Sequence, residues 1–329
     1  VLEVNAGPGF RMHIQPTDGL PRNVGGHVVD MLFPHGSNAR IPIIAVTGTN
    51  GKTTTTRLIA HIAKMRGKKV GYTTSDGVYI QNRLLMSGDC TGPVSAEFVL
   101  KDPTVNFAVL ECARGGILRA GLGFKKCDIG VVTNVAGDHL GLKGIHTIDQ
   151  LAKVKGVIPE TVHKDGYSVL NADDDRVYAM RDNVESKVAL FSMDEENPRI
   201  LRHSRNDGVS AIYENGYITI IKGEWKMRVS KAVNVPLTKG GKASFMIQNV
   251  LAAVLATYLQ GFSIEDIRVA IESFIPSPSQ TPGRLNMFNF DKFDVLLDYA
   301  HNPAGLRALH KYVEKLDGSP KVGIIHMIT

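Results

Sequence analysis

The sequence predicts an α/β fold: a mostly parallel, doubly wound sheet with a small antiparallel insertion, followed by the start of a Rossmann-like domain. Three observations carry this reading. From Ile41 onward, short apolar runs (IPIIAV, FAVLEC, IGVVTN, YSVLN) alternate with longer amphipathic stretches (TTTTRLIAHIAKMRG, TIDQLAKVKGVIPETV), the pattern of βαβ units. A glycine-bearing loop joins the first such run to the first such stretch. The 329 residues, 43% of them apolar and 21% charged, give room for two packed domains.

The elements follow in order. Residues 1–13 read as a strand and turn, and residues 19–34 carry a helix-like pattern ending in a Pro-Gly-rich loop. The alternating units begin at residue 41. Between residues 188 and 235 the pattern shifts to short alternating strands, YENGYITII and KGEWKMRV, with Asn215-Gly216 as a hairpin dipeptide and Gly223 in a second turn. A helix follows, SFMIQNVLAAVLATYLQG, with Gly261 as its C-terminal cap, and another starts near Ser263 with Glu265 and Asp266 in its first turn. The run PSPSQTPGR marks a domain boundary. Beyond it a strand (VLLDYAH), a helix (PAGLRALHKYVEKL) and a strand (KVGIIHM) make one βαβ unit of a further, truncated domain. The apolar runs at both termini read as strands cut from a longer protein.

Composition excludes several classes. No stretch approaches the roughly 18 to 20 apolar residues of a membrane-spanning helix, and the N-terminus lacks the order of a signal peptide, so a cytoplasmic protein without a membrane partner is expected. Cys90, Cys112 and Cys127 are too few and too irregularly spaced for a disulfide framework or a zinc ribbon and read as buried thiols. The net charge of +6 is spread along the chain, which points to anionic ligands rather than nucleic acid.

The strongest local signal is AVTGTNGKTTTTRLI. A strand ends at Val46, a loop runs from residue 47 to 51, and Lys52-Thr53 opens a helix. Backbone N–H groups and the positive end of the helix dipole bind phosphate oxygens, while Gly48 and Gly51 permit the close approach. Lys52 can reach the β and γ phosphates, and the Thr53 hydroxyl can ligate Mg²⁺. The general P-loop pattern has glycine where this chain has Val46, so the motif is a variant. By itself it does not separate a ligase from a GTPase, a motor or a kinase. Glu111 ends the strand FAVLE and Asp138-His139 follow IGVVTN, so these groups also project from C-terminal strand ends, where open α/β sheets bind ligands.

The string TGTNGKTTT resembles the phosphate loop of the Mur ligase family, which includes peptidoglycan amino-acid ligases, folylpolyglutamate synthases and cyanophycin synthetases. These enzymes use ATP and Mg²⁺ to activate a carboxylate as an acyl phosphate, from which an amine displaces phosphate. The resemblance implies nucleotide binding by Thr49, Asn50, Gly51, Lys52, Thr53 and Thr54, a catalytic role for Lys52, and a second magnesium at Glu111 and His139. It implies that Lys155, with Lys153 only two residues away, is carbamylated by CO₂ and supports magnesium, a reaction that needs a neutral amine. It places Asn249 against adenine, and Arg284, Asp298 and His301, in PGR and DYAHNP, over the ribose and phosphates.

Three further strings, GDCTGPVSA, ECARGGILRAGLGF and NVAGDHLGLKGI, are similar to the Mur-like domain of cyanophycin synthetases. VLEVNAGPGFRMH resembles the end of their ATP-grasp domain, whose magnesium ligands would here be Glu3 and Asn5. The resemblance divides the chain into an ATP-grasp tail (1–18), a linker helix and loop (19–40), a Mur ligase-type central ATP-binding domain (41–281) and the start of a Mur ligase C-terminal domain (282–329). It implies a Mur-like site that joins arginine to an aspartate side chain of the cyanophycin polymer, in a homo-oligomer. Arg114, Arg119 and Asp89 are candidate substrate-side groups and equally readable as solvated loop charges. A synthase that polymerises aspartyl-arginine dipeptides, another Mur-type ligase and a P-loop NTPase switch are the alternatives.

Overall fold

The computed structural model describes residue 7, residues 9–36 and residues 40–316. The chain divides into two compact units, Val1–Ile41 and Pro42–Thr329. In the first, α1 (Arg11–Ile14) is a short helix where a turn was expected, and α2 (Val24–Leu32) starts at Asn23, whose side chain accepts from the Gly26 N–H, within the expected helical stretch. Of the strand and turn expected over residues 1–13, residues 1–6 and residue 8 lie outside the described residues.

The second unit is built on one eleven-stranded sheet. Its parallel part comprises β1 (Ile43–Thr47), β2 (Val70–Thr74), β5 (Phe107–Glu111), β6 (Cys127–Val132), β7 (Val162–Asn171), β8 (Lys187–Ser192) and β9 (Val209–Glu214). Antiparallel strands extend both edges. At one, β10 (Tyr217–Lys222) and β11 (Trp225–Lys231) continue β9 through the hairpins expected there; Asn215 and Gly216 both have positive φ, 49° and 83°, as a two-residue type I′ turn requires. At the other edge β3 (Gly77–Ile80) and β4 (Arg83–Ser87) follow β2, a pair absent from the sequence expectations. Their turn residues Gln81 and Asn82 also take positive φ, 48° and 72°, without the glycine that would announce such a turn.

Alternation along the strands explains the two layers. Val131, Val169 and Phe191 face a core shared with α3 (Lys52–Met65), α9 (Ser244–Leu259) and α10 (Ile264–Ser273). Val132, Leu170 and Leu190 face a second core with α6 (Ile148–Glu160), α7 (Asp175–Ala179) and α8 (Pro198–Arg205). A strand buried on both faces must be apolar at every position, hence the continuous run IIAVT of β1. Burial also explains the sequence of α9, which has no polar stripe: Val250, Leu251, Val254 and Leu255 are all 0% exposed, each worth about 1.5–3 kcal/mol relative to exposure. Gly261, at φ 91°, ends α9, and Ser263 caps α10, as the sequence indicated.

The remaining helices are α4 (Pro93–Lys101) and α5 (Arg114–Ala120), on either side of β5 in sequence. Past residue 281, β12 (Asn286–Asn289) and β13 (Asp294–Leu297) form an antiparallel hairpin before α11 (Pro303–Val313). The expected strand at VLLDYAH is thus paired with one that was not anticipated, and KVGIIHM lies outside the described residues. Strand order is β11-β10-β9-β8-β7-β6-β1-β5-β2-β3-β4. The chain leaves β1 toward β2, returns through β5 and crosses to β6, so β1 sits at the topological switch point, where a crevice opens at the carboxyl ends.

Candidate active site

That crevice receives the phosphate loop. The Thr49 N–H donates to the Asn134 carbonyl (2.8 Å) and the Asn50 N–H to Asn134 Oδ1 (2.9 Å), while Thr49 Oγ1 accepts from the Ala136 N–H (3.0 Å). The backbone amides of Thr49 and Asn50 are therefore engaged by the protein itself. The free donors come next: Gly51, in the left-handed region at φ 89°, precedes α3, whose first amides at Lys52, Thr53 and Thr54 have no intrahelical acceptor. A side chain at Gly48 would collide with Thr133, and one at Gly51 with Asn249. Lys52 Nζ donates to the Thr49 carbonyl at 2.9 Å, and burial lowers its pKa against the pull of Glu111 and Asp138.

Glu111, only 2% exposed at the end of β5, accepts from the Ser75 N–H at 3.2 Å. Burial raises its pKa, opposed by Lys52 and by a hydrogen bond from Thr53. Thr53 Oγ1 lies 3.2 Å from Ser75 Oγ, and Arg284 NH2 is 3.4 Å from both hydroxyls. The Arg284 guanidinium stacks on Tyr299, 4.7 Å from the ring centre. Asp298 Oδ2 accepts from the Leu285 N–H at 2.9 Å, where Leu285 has φ 53°, so this carboxylate props the turn that carries Arg284.

The second cluster lies after β6. Asp138, His139 and His301 offer ligand atoms within 4.8 Å of one another, and no other such acidic, imidazole or thiol group occurs among the described residues. His301 Nε2 is 3.5 Å from Asp138, and this contact raises its pKa. Arg114 NH1 donates to the His139 carbonyl at 2.9 Å, holding the loop in which His139 takes φ 49°. Lys155 is buried on α6 and donates to the Gly48 carbonyl at 2.7 Å; burial first, then the Lys52 cation, drives its pKa well down. Lys153 is exposed.

Asn249 is 6% exposed and lies under Gly51, not on a helix surface. Asp89 closes a turn with Thr91 (2.6 Å), and Arg119 bonds back to Gly115 in its own helix (3.1 Å), so these bonds are local. Glu3 and Asn5 lie outside the described residues. The three cysteines are buried. Thr133, Asn134, Ser75 and Asn302 were missed; each is a short polar residue whose position against the loop has no spacing signature.

Thr53 and Glu111 present adjacent hydroxyl and carboxylate oxygens, the donor chemistry of Mg²⁺. With the open helix N-terminus and Lys52, the arrangement suits a nucleoside triphosphate whose terminal phosphate faces Arg284.

Comparison with known proteins agrees. The chain is 58% identical to the cyanophycin synthetases of Geminocystis herdmanii and Crocosphaera subtropica over 325 residues, 99% of its own length. It spans 37% of the length of those relatives. It is 27% identical over 289 residues to the UDP-N-acetylmuramoyl-L-alanyl-D-glutamate–2,6-diaminopimelate ligase of Geobacillus kaustophilus, covering 84% of this chain and 55% of that one. A solved ligase of the same name shares the fold at TM-score 0.62 and 21% identity, covering 89% of this chain and 57% of that one. A bifunctional folylpolyglutamate synthase/dihydrofolate synthase solved with Mn, AMPPNP and L-glutamate bound has TM-score 0.59 at 18% identity, covering 84% and 67%. The family profile of the Mur ligase middle domain matches residues 46–257, and the chain belongs to the Mur ligase family.

Proposed function

We propose that this chain carries the ATP-dependent amide-forming site of a cyanophycin-synthesising ligase, joining arginine to an aspartate side chain of the polymer. The observation that carries the substrate is the 58% identity to cyanophycin synthetases along 99% of the chain. Residues 1–18 and 19–40 are then an ATP-grasp tail with Glu3 and Asn5 as remnant magnesium ligands and a linker; 41–281 is the central domain and 282–329 the start of the C-terminal one. A cytoplasmic, homo-oligomeric parent protein fits this reading; among the described residues no helix is long and apolar enough to cross a membrane.

A carboxylate oxygen of the acceptor attacks the γ phosphorus of ATP and ADP departs. The arginine α-amine then attacks the acyl carbon, the bond to phosphate breaks, and the amine gives up a proton. Amides at the start of α3 and the Lys52 ammonium hold the phosphates, and Arg284 balances charge gathering on the transferred group. Thr53 and Glu111 would hold Mg²⁺, with His139 and carbamylated Lys155 on the acceptor side; the metal would supply charge neutralisation between carboxylate and phosphate. Asn249 supports the loop beside the adenine end.

The test is ADP release by the full-length protein with ATP, Mg²⁺ and an aspartate-backbone acceptor, with and without arginine, beside Lys52→Ala. Arginine-dependent release that disappears in the variant is expected. Release indifferent to arginine and acceptor would refute the substrate assignment in favour of a dipeptide-polymerising enzyme, another ligase or a switch.

A further inference from the structure

We propose that the side-chain amides of Asn50 and Asn302 form a clasp by which the phosphate loop holds the C-terminal segment in register over the site, making both positioning residues. The proposal rests on the ligase reading for its kinetic consequence only; its geometry stands apart from the substrate.

Asn50 has little freedom. Its N–H is taken by Asn134 Oδ1 (2.9 Å), and its carbonyl accepts from Thr133 Oγ1 (2.6 Å) and Asn134 Nδ2 (3.0 Å). With the backbone pinned on both sides, the side chain points across the crevice, where Asn302 meets it amide to amide. Asn50 Nδ2 donates to Asn302 Oδ1 (3.1 Å), and Asn302 Nδ2 donates to Asn50 Oδ1 (2.9 Å). Asn302 is 3% exposed and also caps α11, its Oδ1 accepting from the Gly305 N–H at 2.9 Å. Two reciprocal bonds between neutral amides saturate one donor and one acceptor on each side, and fix distance and orientation together.

The clasp sits between the groups that must stay aligned. His301 precedes Asn302 and lies 3.5 Å from Asp138, and Arg284, on the turn propped by Asp298, reaches Thr53 at 3.4 Å. Both of these contacts are longer than the amide pair. Among the described residues the pair is thus the closest polar tie between the loop and the segment that supplies Arg284 and His301.

A role for Asn302 as a helix cap alone is separable, because serine caps a helix comparably but is too short to reach Asn50. In the full-length protein, Asn302→Ser, Asn50→Ala and the double variant are compared by turnover of ATP and by hydrogen exchange of the α11 amides. Each single change is expected to lower kcat about tenfold with KM for ATP little altered, and the double variant to lose no more, since two neutral hydrogen bonds are broken only once. Exchange in α11 should quicken about tenfold in Asn50→Ala, which does not touch the helix cap, as well as in Asn302→Ser. Unchanged exchange in Asn50→Ala, or single losses that multiply in the double variant, would overturn the clasp. If the wild-type protein proves not to use arginine, the exchange measurement still decides the clasp while the ligase reading fails alone.

Discussion

Lys155 and Lys153 stand two residues apart on one helix, and only their surroundings give them different chemistry. The exposed amine of Lys153 faces water, whereas Lys155 is 3% exposed, bonded to the Gly48 carbonyl and close enough to Lys52 for repulsion to add to burial. A lowered pKa keeps an amine neutral, the form that combines with CO₂. Lys155→Arg is therefore expected to lose turnover by about 10- to 100-fold, the usual effect of disturbing a metal-supporting group, while the wild-type protein in CO₂-depleted buffer regains activity on adding bicarbonate. An arginine variant with full turnover would refute the carbamate. Motif position nominated Lys155, but burial distinguished it. The same holds for Asp298: its place in DYAHNP was legible, while its bond to the Leu285 amide, which makes it a prop for the turn bearing Arg284, required the fold.

At the scale of elements, local rules were sufficient wherever a signal is confined to a few residues. The phosphate-loop helix, the Asn215-Gly216 hairpin and the end of α9 at Gly261 all rest on glycine at positive φ or on an open helix terminus. The β3–β4 pair escaped because Gln81 and Asn82 adopt the same turn without that residue, and β12 escaped because its partner in the hairpin read as the start of a crossover unit. Helix α3 also shows what packing does to a titrating group. His61 projects from it toward α10, its Nε2 3.1 Å from Ser273 Oγ and its ring edge-on to Phe274 at 5.2 Å. Burial, then Lys64, lowers its pKa below the ordinary 6.5. Between the folded and unfolded values the unfolded chain binds more protons, so stability falls as pH drops through that window and is full above it. Thermal unfolding of His61→Gln should show a smaller loss between about pH 7.5 and about pH 5.5 than the wild type, an element-level effect of ordinary histidine titration. An identical loss in both proteins would place the acid sensitivity elsewhere.

Across the whole molecule, the sheet order brings together residues far apart in sequence: Thr53 from α3, Glu111 from the end of β5, Asp138 after β6 and Arg284 before β12. A ligand seated there ties those segments to one another and stabilises the native state by mass action, about 2.7 kcal/mol at a hundredfold excess over its dissociation constant. A non-hydrolysable ATP analogue with Mg²⁺ is expected to raise the unfolding temperature of the protein, and Lys52→Ala to abolish the rise. A rise retained in the variant would move nucleotide binding away from this loop. By itself the sequence determined the α/β class, the phosphate loop and the family, because hydrophobic period, glycine conformation and a contiguous motif are local properties of the chain. Only the tertiary structure decided which lysine is buried, which amides lack an acceptor within the protein's own helix, and that Asn50 meets Asn302, because burial and pairing across 252 residues arise where the strand order folds distant segments into one crevice.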